Sequence, residues 1–323
     1  MLFLMDPLRF TLLLVLAACC APIHGATEWD RLNDELQTLY QQGNYPRATE
    51  VAKMALQKAE QSLHPNHPDV ATSLNGLALL LSAQGHYKQA EPLFKRALAI
   101  FESALDPVSP EVAATLNNLA MLHRNQEAYD KAESLYKRAL EIDEKASGPA
   151  HPAVAISLNN LAQLYQAQER YEQAGPLLER AVAILEKTLG PAHPDLAISL
   201  NNLALLYSAQ KQYERAEPLY KQVIAISKNA LGKDHPNVAL SLNNLAGLYR
   251  EQEKFPYAEP LFRRALAISE KAYGPEHPNV ATGLENLAQL YRDIGYAGKA
   301  RSLDRRASAI REKEKKGQGA QEN

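Results

Sequence analysis

A proline recurs at Pro68, Pro110, Pro152, Pro194, Pro236 and Pro278, a constant step of 42 residues with no insertion or deletion. Histidine precedes it at His67, His151, His193, His235 and His277, and Ser109 stands in the remaining place. The same offset carries Asn75-Gly76-Leu77-Ala78 through Asn117-Asn118-Leu119-Ala120 and on to Glu285-Asn286-Leu287-Ala288. A period of this length marks one supersecondary unit copied along the chain. Such a unit cannot bury its apolar face alone and must stack on its neighbours.

Each unit reads as two helices. In the third, Pro152 sits at a first helical position, where a missing N–H costs nothing. Leu158, Leu161, Ala162 and Tyr165 follow at i, i+3, i+4 and i+7, an apolar stripe of helical period. Gln168-Glu169-Arg170 breaks the pattern, and Tyr171, Ala174, Leu177, Leu178, Ala181, Val182 and Ile184 mark the second helix. Gly190 supplies a left-handed residue that ends it, and Pro191 prevents continuation. Pro92, Pro176, Pro218 and Pro260 fall beyond the first turn of second helices, which predicts a mild kink or a late start there.

The Leu-Ala pair, the aromatic residue after it, and the Ala–large–Ala spacing of the second helix resemble the tetratricopeptide repeat. The linker Leu189-Gly190-Pro191-Ala192-His193-Pro194 and the 42-residue length are similar to the kinesin-light-chain subfamily. The resemblance implies an all-α fold, a right-handed α-solenoid of stacked antiparallel helix pairs. Residues 27–66 form a degenerate first repeat, with Asn33, Tyr45 and Ala48 in register with Asn75, Tyr87 and Ala90. Residues 67–313 hold six full units, and residues 314–323 read as a charged, disordered tail. Asp304, Ser308 and Ala297 replace apolar or aromatic residues in the last unit, as befits a terminal repeat that no neighbour covers.

Residues 1–26 have a different character. Arg9, the apolar run Phe10 to Ala18, and small residues behind it have the layout of an export signal. Leu16-Ala17-Ala18-Cys19 resembles the bacterial lipobox, which would leave Cys19 lipidated. Cleavage near Gly25 or Ala26 is the alternative, and removes both cysteines of the chain. The expected location is the periplasm or, through the lipid, a membrane of the cell envelope.

In such a stack the first helices line the concave side, which extended peptides can occupy. Its expected rungs are Asn118, Asn160, Asn202, Asn244 and Asn286, accompanied by Arg124, Arg250 and Arg292. Asparagine costs about 0.6 kcal/mol against alanine in a helix, so its recurrence asks for a reason. A carboxamide both donates and accepts and can grip a peptide backbone; it can equally bond to the neighbouring helix and hold the stack. In related solenoids, including the O-linked N-acetylglucosamine transferase array, an asparagine at this place forms a peptide-binding ladder. Co-chaperone versions add lysines one turn earlier, but here that place holds Thr72, Ala114, Ile156, Ile198, Leu240 and Thr282, so no carboxylate clamp is expected.

The remaining function classes fare worse. A net charge of -2 argues against a nucleic-acid partner. The histidines are spread along the stack, whereas metal ligands must converge. No HExxH, GxSxG or P-loop motif is present. The sequence thus implies no enzyme and no cofactor. It implies a scaffold for protein or peptide partners, with a self-assembling solenoid or a receptor for a small peptide signal as alternatives.

Overall fold

The computed structural model describes residues 28–41 and 44–319, which fold into fourteen α-helices with no strand among them. They fall into two units, residues up to Ile184 and residues from Leu185 on. The first holds α1 (Glu28–Gln41), α2 (Tyr45–Ser62), α3 (Pro68–Ala83), α4 (Tyr87–Ala104), α5 (Pro110–Asn125), α6 (Tyr129–Ser147), α7 (Pro152–Ala167) and most of α8 (Tyr171–Leu189). The second holds α9 (Pro194–Ala209), α10 (Tyr213–Leu231), α11 (Pro236–Glu251), α12 (Phe255–Tyr273), α13 (Pro278–Asp293) and α14 (Ala297–Gly319). Within each unit a helix packs on the next in sequence, and first helices of neighbouring repeats also touch. The architecture is a tetratricopeptide-type helical solenoid. The expected leader, Cys19 included, lies outside the described residues.

The repeated histidine is a helix cap. The Nδ1 of His67, His151, His193, His235 and His277 accepts from the backbone N–H two residues on, at 3.1–3.2 Å. Ser109 Oγ accepts from the Val112 N–H at 3.4 Å in the same role. With proline next in line, one otherwise orphaned donor is satisfied and another is missing.

Packing follows the alternation of small and large residues. Ala78, Ala90, Ala120, Ala132, Ala162 and Ala174 are fully buried, which lets helix axes approach, while Phe94, Tyr136 and Leu178 fill the spaces between. Ala204, Ala216, Ala246, Ala258 and Ala288 do the same around Tyr220 and Phe262. In the first repeat, Trp29 Nε1 donates to Ser73 Oγ at 2.8 Å and ties α1 to α3.

The four prolines do not delay their helices, which begin at Tyr87, Tyr171, Tyr213 and Phe255 and run through Pro92, Pro176, Pro218 and Pro260. Each proline is exposed, so the carbonyl one turn back that loses its donor faces water. The last helix also departs from expectation, continuing to Gly319, past the boundary at 313. Ile310 is buried there, and Lys313 reaches Glu276 at 2.7 Å, so packing extends into the charged segment.

The glycines before the linkers, Gly148, Gly190, Gly232 and Gly274, have φ of 84–87°. Where ψ is defined it is 156–159° at Gly148, Gly232 and Gly274, an extended conformation reserved for glycine and not the left-handed helical one. The turn inside each repeat does use the left-handed conformation. Its C″ N–H returns to the carbonyl five residues back, as in Arg170 to Tyr165 at 2.8 Å. The residue at φ near 60–80° is Gly85 in the first full repeat and Gly295 in the last, but Glu127, Glu169, Lys211 and Glu253 between. Side chains there are strained. Replacing any of the four by glycine is expected to stabilise the protein by about 0.5–1 kcal/mol, read as a rise in melting temperature.

Candidate peptide-binding face

Adjacent first helices bring the asparagines of successive repeats together in one arrangement. Asn118 Nδ2 on α5 donates to Asn75 Oδ1 on α3 at 3.2 Å. In the second unit Asn244 Nδ2 on α11 donates to Asn201 Oδ1 on α9 at 2.8 Å. Each bond joins the second asparagine of a repeat to the first of the preceding one, 43 residues away. It uses half of each carboxamide. Asn75 Nδ2, Asn118 Oδ1 and Asn201 Nδ2 are left without a hydrogen-bond partner. The paired amides in the first unit therefore hold one unused donor and one unused acceptor, both buried.

The other predicted rungs differ. Asn160 and Asn286 are part-exposed and make no such lateral bond, and Asn202 occupies the corresponding place on α9. Asn117 is turned away, its Nδ2 donating to Ser157 Oγ at 2.8 Å, with its Oδ1 unpartnered. Ser82 Oγ and His123 Nδ1 are likewise unpartnered on α3 and α5.

The arginines prove to be links between helices. Arg124 donates to Gln163 Oε1 at 2.8 Å, from α5 to α7. Arg250 lies 3.6 Å from the Asp293 carboxylate, from α11 to α13. Arg292 pairs with Asp304 at 2.7 Å, from α13 to α14. The sequence shows arginines at the right height but not the acceptors that hold them.

Two polar features escape sequence reading. One is a staple in which a first-helix tyrosine donates to the preceding repeat's glutamate: Tyr165 to Glu133 at 3.0 Å, Tyr249 to Glu217 at 2.9 Å, Tyr291 to Glu259 at 2.8 Å. A cation four residues on, Lys137, Lys221 or Arg263, completes each cluster. The periodic signal was present, since Glu91, Glu133, Glu217 and Glu259 occupy one position of the repeat and only Gly175 interrupts them. Around Glu133 the Arg170 guanidinium, aided by Lys137 and Tyr165, holds the carboxyl down at about 2. That stabilisation is complete above the ordinary glutamate value and is lost as pH falls from about 4.5 toward about 2. Glu133→Gln is expected to cost about 1–2 kcal/mol at pH 7 after allowance for solvent screening, measured by urea unfolding, and nothing near pH 2.

The other is a buried acid. Asp143 on α6 accepts from Ser157 Oγ at 2.6 Å, and Ser157 in turn accepts from Asn117. Burial pushes Asp143 up to about 6, with the Ser157 hydrogen bond a smaller opposing influence. The places equivalent to 143 hold Phe101, Leu185, Ser227 and Ser269, so the acid belongs to one repeat alone.

The tetratricopeptide-repeat profile matches residues 37–103, 111–187, 157–229, 212–271 and 237–313, and the chain belongs to that family of repeat proteins. Within it the chain is kinesin-light-chain-like. A Podosopora anserina kinesin-light-chain-type protein with nearly identical TPR-like repeats is 31% identical, with 64% of this chain and 97% of that one covered at a TM-score of 0.55. BtubC (BKLC) from P. vanneervenii is 24% identical over 77% and 94% of the two chains, TM-score 0.57. A Rap protein solved with competence and sporulation factor shares the fold at 16% identity, over 90% and 76%, TM-score 0.67. No curated protein sequence matches the chain. Fold and family make it a protein–protein interaction scaffold, of a non-enzymatic repeat family.

Proposed function

We propose that this scaffold captures extended peptide segments of partner proteins on the face formed by its first helices. The observation that carries the reading is that a first-helix amide recurs once per repeat, and that Asn160 and Asn286 among them are part-exposed and make no lateral bond. Every peptide unit presents one N–H and one C=O, so an exposed carboxamide, donor and acceptor at once, complements a backbone whatever its side chains. First helices packed about 10 Å apart meet an extended chain, which advances about 3.3 Å per residue, roughly every third residue. The Rap protein solved with competence and sporulation factor supports the reading by analogy of fold. Partners cross-linked to the wild-type protein in native envelopes should be lost from Asn160→Ala/Asn286→Ala. Equal recovery by both would reject the face as the binding site.

The place of action is the bacterial cell envelope, on the strength of Arg9, the apolar run and Cys19. Mass spectrometry of the mature N-terminus is expected to find a lipid-modified Cys19. A bare chain starting near Ala26 or Thr27 would reject the anchor, and an intact Met1 would reject export.

A further inference from the structure

We propose that copies of this chain associate end to end, the last helix α14 of one copy docking on the first helix α1 of the next.

On α12, Glu259 and Arg263 meet Tyr291 of α13, at 2.8 and 2.6 Å from its hydroxyl, and Leu266 lies against Gly283. One period on, the same face of α14 carries Arg301, Arg305 and Ser308, and all three are exposed. α14 thus presents a docking face in the geometry used by α12, with arginine in place of glutamate and serine in place of leucine.

The receiving face recurs on α1. Six periods back from Tyr291, Leu287 and Gly283 stand Leu39, Glu35 and Arg31, with Asp34 beside them. Glu35, Asp34 and Arg31 are exposed, and Leu39 is half-buried. A carboxylate here replaces the leucine of the internal repeats, just as Arg301 on α14 stands where α12 has Glu259.

The two helices are charged oppositely. α1 has four acidic residues against one basic, whereas α14 has eight basic against three acidic, in a chain whose net charge is only -2. Some of these charges are engaged internally: on α14 Arg306 by Glu270, Arg311 by Glu285 and Lys313 by Glu276, and on α1 Glu28 by Lys58, with Glu35 3.8 Å from Arg47 across an exposed pair. Arg301 and Arg305 have no ion-pair partner among the described residues and lie on the docking face. Polar ends keep a solenoid soluble, but that purpose is served by either sign at either end. Opposite signs on faces that share the register of an internal junction fit a second copy of this chain. Because the two faces differ, the contact is heterologous and produces open rows, not closed dimers. With leucine absent from both faces, the association should be weak and electrostatic.

The test is sedimentation velocity on the purified protein over a range of concentrations. At about 0.05 M salt the mass average should climb with concentration, and at about 1 M salt, where the screening length falls to about 3 Å, it should return to that of a monomer. Arg301→Glu/Arg305→Glu should weaken association about tenfold or more with an unchanged helical spectrum, since both side chains are exposed. Adding Asp34→Arg/Glu35→Arg to that variant should restore self-association. A monomer under all conditions would overturn the proposal. So would association indifferent to Arg301→Glu/Arg305→Glu, or a four-fold variant that stays dissociated.

Discussion

Asp143→Asn is expected to stabilise the protein by about 3 kcal/mol at pH 7 and to leave its stability nearly unchanged at pH 3.5. In the folded protein burial raises this carboxyl to about 6, against an ordinary value of 3.8. Between those values the unfolded chain has lost the proton while the folded one keeps it. Stability is therefore full below the ordinary value and declines as pH rises through the window, reaching its minimum above about 6. No charged side chain offsets the penalty. α7, which packs against α6, carries none, and of α5, Glu111 and His123 sit at opposite ends while Arg124 is held by Gln163. Asparagine keeps the shape and still accepts from Ser157 without carrying a charge. Urea titrations at several pH values should show the wild type losing stability from pH 4 to pH 6 and the variant holding level. Parallel curves would mean that Asp143 titrates as an ordinary exposed acid.

Much of the fold was legible because period and local chemistry agree. His-Pro at each helix start, the apolar stripe of the first helix and the polar turn all follow from residues within a few places of one another. The repeated histidines, read as helix-entry residues, do stand there: each Nδ1 caps its own helix. Prolines in the second helices misled, because sequence shows the missing N–H but not that the affected carbonyl is solvated. The strained turn residues were invisible, since Glu127, Glu169, Lys211 and Glu253 look like ordinary surface positions.

The candidate face was only half legible. Asparagine at two adjacent places in a helix said that amides face something, but not what. The answer lies 43 residues away, where Asn118 meets Asn75 and Asn244 meets Asn201, and it depends on how far one repeat is rotated on the next. Of the binding and stabilising roles first set against each other, the lateral bonds belong to the stabilising one. One half of each amide holds the neighbour, and in the first unit the other half of each is unpartnered. The same dependence on stacking hid the acceptors of Arg124 and Arg250 and the glutamates beneath Tyr165, Tyr249 and Tyr291.

The second large effect concerns the part-exposed rungs. Replacing Asn160 and Asn286 together by alanine removes about two backbone-directed hydrogen bonds at about 1 kcal/mol each, and should weaken peptide binding about thirtyfold. Folding should be nearly untouched, since neither side chain makes a lateral bond and alanine is the better helix former. The decisive measurement is calorimetry with peptides of about fifteen residues, selected from a random library on the wild-type protein, with melting temperatures taken on the same samples. Binding weakened in the Asn160→Ala/Asn286→Ala variant at an undiminished melting temperature is the predicted result. Undiminished affinity with a lowered melting temperature would contradict it and leave the asparagines as braces of the stack.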